Sequence, residues 1–189
     1  MNTNDRAGFL ALGQEMGADY ALFTYLIETP IDPLDAAVNL CHEQSTAQWH
    51  RIGVKEDFRK KHGAKVISCK VLGKSPTPLL YKFVEGKTYT SAQIVIAHPL
   101  INFGPKIPNL ITAAAGEGAF HCPSMNSIKL IDVRLPDSYV RKFEGPRFGL
   151  EGIRKKLGVK DRPLFTGVVK PNIGLKPVHF ATLAYEAWC

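Results

Sequence analysis

The sequence predicts an α+β chain: a ferredoxin-like antiparallel α/β sandwich, followed by the first βα unit of a truncated (β/α)8 barrel. Three observations predict it. Stretches with strand and helix periodicity follow one another in the order strand, helix, several strands, helix, strand, which suits an antiparallel sheet backed by helices. Near the end, the apolar, mostly β-favouring residues Leu164, Phe165, Val168 and Val169 run directly into Lys170, Pro171 and Gly174, and a helical pattern opens at Pro177. Strand, loop and helix make one βα unit, and a lysine at the carboxyl end of a parallel strand stands where barrel enzymes keep their chemistry. The chain has 189 residues, whereas a complete barrel needs about 200 or more by itself. The expectation is therefore an amino-terminal portion: a leader over 1–18, a small domain over 19–142, and a linker with the start of a barrel over 143–189.

Taken in order, residues 1–18 read as a mobile or loosely helical lead. Over 19–28, large groups fall on both faces of an alternating run (Tyr20, Leu22, Thr24, Leu26 against Ala21, Phe23, Tyr25, Ile27), which predicts a central strand. Asp32-Pro33 is a helix start, with an N-cap aspartate and proline at the first helical position. Asp35 adds a carboxylate where the helix dipole favours it, and Leu34, Ala37, Val38 and Cys41 form the apolar stripe. The helix runs out at His42-Glu43, and 44–53 reads as a loop. Residues 64–72 alternate as a strand, 73–78 form a turn-rich break, and 79–84 and 88–98 are two further strands. Ile107-Pro108 opens a helix over 109–115 that ends at Gly116. Residues 127–134 are another strand, 137–143 a short helix, and 150–157 a helix leading toward the barrel.

The net charge is +7, from 24 basic and 17 acidic residues. The basic clusters at 59–65 and 153–160 adjoin apolar periodicity and read as solvated helix faces or ends. No strand carries the closely spaced aromatics that stack on bases, so nucleic acid is not an expected partner. No run of about 18 apolar residues appears, so neither is a membrane. The start lacks a basic-then-apolar signal pattern, and the four cysteines are far apart without a CxxC, which suits reduced thiols in the cytoplasm. The six histidines show no metal-ligand spacing, and each reads as a surface or satisfied core residue.

Several motifs, in order, carry a resemblance. Val169-Lys170-Pro171 followed by Gly174-Leu175 resembles the first barrel strand of the RuBisCO large-subunit family. Phe143-Glu144-Gly145-Pro146-Arg147-Phe148-Gly149, Gly152-Ile153-Arg154 and Gly158-Val159-Lys160-Asp161-Arg162-Pro163 resemble its linker into the barrel. Glu43-Gln44-Ser45-Thr46-Ala47-Gln48-Trp49 resembles its amino-terminal active-site segment. The stretch 97–109, Ala97-His98-Pro99-Leu100-Ile101-Asn102-Phe103 onward, is most similar to the form IV branch, the RuBisCO-like proteins of phototrophic sulfur bacteria. The resemblance spans nearly the whole chain from about Asp19.

It implies roles. Lys170 falls on the family's catalytic lysine, beside metal and phosphate, where burial and a nearby cation would tune it to give or take a proton; the competing reading is a surface lysine at a strand end. Glu43 falls on the glutamate that reaches the partner subunit's active site, so a homodimer with a shared site is implied; the competing reading is a helix-end surface glutamate. Thr46 and Trp49 belong to the same substrate-binding segment. Three positions depart from the carboxylase pattern. Asn172 replaces a second lysine and loses its charge, although it also suits a turn. Gln48 stands in place of a threonine near a phosphate. Glu117 replaces an asparagine and brings a carboxylate to a neutral amide's place, where it could act as acid or base, or remain a solvated turn residue.

The family's Mg²⁺ ligands come from barrel strand two, and none is expected within this chain. The function expected of the whole protein is Mg²⁺-dependent enolisation or isomerisation of a phosphorylated sugar, including a sulfur-containing one, without efficient CO₂ fixation. The alternatives are a divergent ribulose-bisphosphate carboxylase and a non-catalytic fragment or dimerisation domain. The portion in hand is expected to be inactive alone.

Overall fold

The computed structural model describes residues 6–46, 59–79, 86–116, 122–165 and 176–188. These fall into two compact units, 1–143 and 144–189. The first is built on an antiparallel sheet of β1 (Tyr20–Thr29), β2 (Lys65–Ser75), β3 (Tyr89–Pro99) and β4 (Ser127–Arg134), in the spatial order β2-β3-β1-β4. Helix α1 (Pro33–Gln44) follows β1, the short helix α2 (Arg59–His62) precedes β2, and α3 (Ile107–Ala115) connects β3 to β4. Setting α2 aside, strand, helix, two strands, helix, strand with β1 flanked by β3 and β4 is the ferredoxin-like arrangement.

The central place of β1 follows from its two-sided pattern. Phe23 faces Ile96 of β3 and Val133 of β4, and Ile27 faces Ala92 and Ile128. The row Ala21, Phe23, Tyr25 and Ile27 is buried with Ala36, Ala37, Leu40 and Cys41 of α1 and Leu110 and Ala114 of α3. Each large side chain in that layer is worth about 1.5–3 kcal/mol of transfer free energy. Asp32 caps α1 as expected: its Oδ1 accepts from the N–H groups of Leu34 (3.0 Å) and Asp35 (3.1 Å).

Three details differ from the pattern-based reading. The lead is tied to the sheet: Phe9 is buried, Leu10 bridges Val66, the Ala11 N–H donates to the Val66 carbonyl at 3.0 Å and the Val66 N–H to the Phe9 carbonyl at 2.8 Å. Strand β2 continues through the predicted break to Ser75, because a register shift between Val71 and Gly73 takes up Leu72 as a bulge and leaves Gly73 paired with Ser91. The basic cluster at 59–65, read as a helix face or end, does include helix α2; His62 Nδ1 and Asn102 Oδ1 lie 2.8 Å apart, and Asn102 Nδ2 donates to the His62 carbonyl at 2.8 Å. The helix expected over 137–143 is the single turn α4 (Asp137–Val140), where the Tyr139 hydroxyl donates to the Gly104 carbonyl at 2.8 Å. The strand expected over 79–84 falls almost wholly outside the described residues.

The second unit holds α5 (Gly149–Leu157) and α6 (Pro177–Trp188). Helix α5 ends at Gly158, whose φ of 67° is the left-handed C-cap conformation, and the Val159 N–H returns to the Arg154 carbonyl at 3.0 Å. The barrel strand expected to end at Lys170 lies mostly outside the described residues. No helix among the described residues is long and apolar enough to cross a membrane.

One core histidine is not satisfied. His98 is fully buried in β3, its ring 5.0 Å from Phe23 and 6.1 Å from Phe103, and neither ring nitrogen has a partner among the described residues. Burial lowers its pKa from 6.5 to about 3. Between those values the unfolded chain binds the proton and the folded chain does not. Stability is therefore fully present above pH 6.5 and falls toward pH 3, by about 1.4 kcal/mol per pH unit from this group. Urea unfolding across that range should show the slope in the native chain, and His98→Leu should flatten it. An unchanged slope in the variant would assign acid lability to another group.

Candidate functional site

Of the candidate residues of the first unit, Glu43 and Thr46 are described, at the carboxyl end of α1 and just beyond it. Helix α1 delivers Glu43 in its last turn, exposed and 3.8 Å from His42 Nδ1. A carboxylate here opposes the helix dipole, which suits a group held for an external cation rather than for helix stability. Ser45 closes the helix, its hydroxyl donating to the Cys41 carbonyl at 2.5 Å. Thr46 follows, with its Oγ1 buried and without a partner among the described residues. Gln48, Trp49, Glu117, Lys170 and Asn172 lie outside the described residues.

The flanks of the stretch that carries Glu117 are nevertheless placed. On the near side, the buried Tyr25 hydroxyl donates to the Ala114 carbonyl at 2.7 Å, and Gln44 Nε2 lies 3.4 Å from both the Tyr25 hydroxyl and the Ala114 carbonyl. This ties the end of α1 to the end of α3, where Gly116 is the last residue before Glu117. Burial raises the Tyr25 pKa, so the group stays a protonated donor. On the far side, burial raises the Cys122 thiol, hydrogen bonds with Ser124 offset part of the rise, and the negative field of Glu43 adds to it.

Beyond Cys122, the turn into β4 is clasped to the end of β1. Thr29 Oγ1 donates to the Ser124 carbonyl at 2.5 Å, and the Asn126 N–H donates to the Glu28 carbonyl at 2.7 Å. The Glu28 carboxylate is itself buried, accepting from Asn126 Nδ2 at 2.6 Å and from the Leu79 N–H at 2.9 Å. Sequence reading missed Tyr25, Gln44 and Glu28. A signal existed for the first, since a tyrosine in an otherwise apolar inward row needs a partner for its hydroxyl. Cys41 is buried and its thiol is raised far above the ordinary value, chiefly by burial, so it is no nucleophile.

Mg²⁺ would need several oxygen ligands, carboxylates first. Among the described residues no group of three His, Cys, Asp or Glu side chains stands close enough to hold a metal ion, and Glu28 is committed to amide donors. The described part of this chain does not fit a metal centre. In the second unit, a cavity of about 380 Å³ is lined by Glu151, Arg154, Lys155, Gly158, Val159 and Lys160; it contains none of the candidate residues.

Comparison with known proteins places this geometry in a family. Residues 15–139 match the ribulose bisphosphate carboxylase large chain, N-terminal domain. A ribulose bisphosphate carboxylase-like protein of Chlorobaculum tepidum is 46% identical over 191 aligned positions, which cover 100% of this chain and 44% of the relative. The octameric RuBisCO of Pyrococcus horikoshii superposes with a TM-score of 0.67 at 30% identity, covering 97% of this chain and 40% of that one. A dimeric archaeal RuBisCO from Hyperthermus butylicus gives a TM-score of 0.67 at 28% identity, covering 96% and 40%. The chain thus spans under half the length of the proteins it matches. With the matched domain and the superposed structures agreeing, this chain belongs to the RuBisCO large-chain family, through its amino-terminal domain and with form IV, RuBisCO-like proteins among its near relatives.

Proposed function

We propose that the whole protein is a RuBisCO-like enzyme that enolises or isomerises a phosphorylated sugar, with sulfur-containing ketose phosphates within its substrate class, and that it works as a cytoplasmic homodimer. The observation that supports this reading is the tie between the end of α1, which bears Glu43 and leads to Thr46, and the end of α3, after which Glu117 follows in sequence. The departures at Gln48, Glu117 and Asn172 support enolisation over CO₂ fixation, because each changes the charge or hydrogen bonding that a carboxylase offers its phosphates and carboxylated intermediate.

In this reading Lys170 takes the proton from the carbon beside the substrate carbonyl. The C–H electron pair becomes the enediolate double bond, and the proton returns to the neighbouring carbon or oxygen. Glu43 of one subunit reaches the partner subunit's site, where it would pair with a lysine on a mobile barrel loop, Glu117 adds a carboxylate, and Thr46, Gln48, Trp49 and Asn172 hold the substrate. Mg²⁺ is implied by the family alone, its ligands being assigned to sequence outside this chain.

The test is incubation of the whole protein in D₂O with ribulose 1,5-bisphosphate and with a sulfur-bearing ketose phosphate, alongside labelled CO₂. Deuterium entry at the α-carbon without fixed label is the expected result. The 30% identity to the Pyrococcus horikoshii RuBisCO supports a second reading, carboxylation, and sustained label fixation would decide for it.

A further inference from the structure

We propose that Tyr25 is a positioning residue, whose hydroxyl, with Gln44, fixes the two active-site segments of this domain relative to each other. The proposal rests on the active-site reading above. Tyr25 is 1% exposed on the central strand and spans 89 positions of sequence to donate to Ala114 at 2.7 Å. Ala114 lies in the last turn of α3, three residues before Glu117. Gln44 lies beside Glu43 and two residues before Thr46, and its amide nitrogen approaches both other members of the group. One buried hydroxyl on the central strand therefore joins the helix end that bears Glu43 to the helix end after which Glu117 follows in sequence.

Neither Tyr25 nor Gln44 is assigned contact with substrate. Their effect would run through carboxylate placement, where small displacements of reacting groups cost rate rather than binding. Helix ends fray readily, and a C-terminal carbonyl held by a side chain is one way to stop that.

The experiment compares Tyr25→Phe, Gln44→Leu and the double variant in the whole protein, using the ketose phosphate that shows α-proton exchange. Tyr25→Phe should lower kcat about tenfold with KM within about twofold. The double variant should be no worse than about the larger single effect, since both remove one device. In the whole protein, amide exchange of Tyr25→Phe should quicken at 43–46 and 114–116 and stay unchanged in β3. Glu43→Gln and Glu117→Gln serve as controls. If they abolish exchange while Tyr25→Phe leaves kcat unchanged, the positioning role is wrong and the site stands. If they leave exchange unchanged, the site reading falls and the positioning role with it.

Discussion

Replacing Lys170 by methionine in the whole protein is expected to lower α-proton exchange of the substrate by about 10³-fold, within the range that a lost acid–base group costs. Methionine keeps most of the length and the apolar stem of lysine while removing the only atom that can carry the proton. The fold should survive, because the assigned contribution is proton transfer and not packing. Thermal unfolding within a few degrees of the native protein, together with a KM changed far less than kcat, would mark the loss as one of transition-state stabilisation. Exchange at the native rate in Lys170→Met would remove this residue from the mechanism.

The largest effect on stability is expected at Glu28. Its carboxylate is buried, yet among the described residues it has no ion-pair partner; it accepts from the Leu79 N–H at 2.9 Å and from Asn126 Nδ2 at 2.6 Å. Glu28→Ala deprives two donors of their acceptor, at about 1–3 kcal/mol each, and opens a void beside them. A loss of about 3 kcal/mol or more should follow, seen as a midpoint shift in urea unfolding. Glu28→Gln keeps the volume but turns one acceptor into a donor facing an N–H, so it should cost roughly half as much. A loss below about 1 kcal/mol for Glu28→Ala would show that the clasp between β1, Leu79 and the turn into β4 does not hold that corner together. Because the same turn follows the stretch that bears Glu117, this variant should also disturb the site.

What could be read in the sequence was set by side-chain pattern. β1 was legible as central because both of its faces are apolar, and α1 because Asp32, Pro33 and Asp35 are chemically suited to a helix start. The pairing of the lead with β2 was hidden, since it consists of backbone bonds such as Val66 N–H to the Phe9 carbonyl, which leave little trace in residue type. The overrun of β2 was hidden by Gly73, which reads as a break unless a neighbouring bulge leaves it paired. The site divides the same way. Glu43, Thr46 and Lys170 are candidates through motifs alone, whereas Tyr25 and Glu28 act on backbone groups or amides far away in sequence, and no local spacing marks such partners.

We propose a site completed by two subunits, with Glu43 from one and Lys170 from the other. It is tested most directly by mixing two inactive variants, Glu43→Gln and Lys170→Met, under conditions that let subunits exchange. In a mixed dimer one of the two sites then receives both native residues. Random pairing should restore about one quarter of the native α-proton exchange rate. If Glu43 and Lys170 served within one subunit, every site in the mixture would lack one of them, and exchange no greater than that of either variant alone would contradict the account.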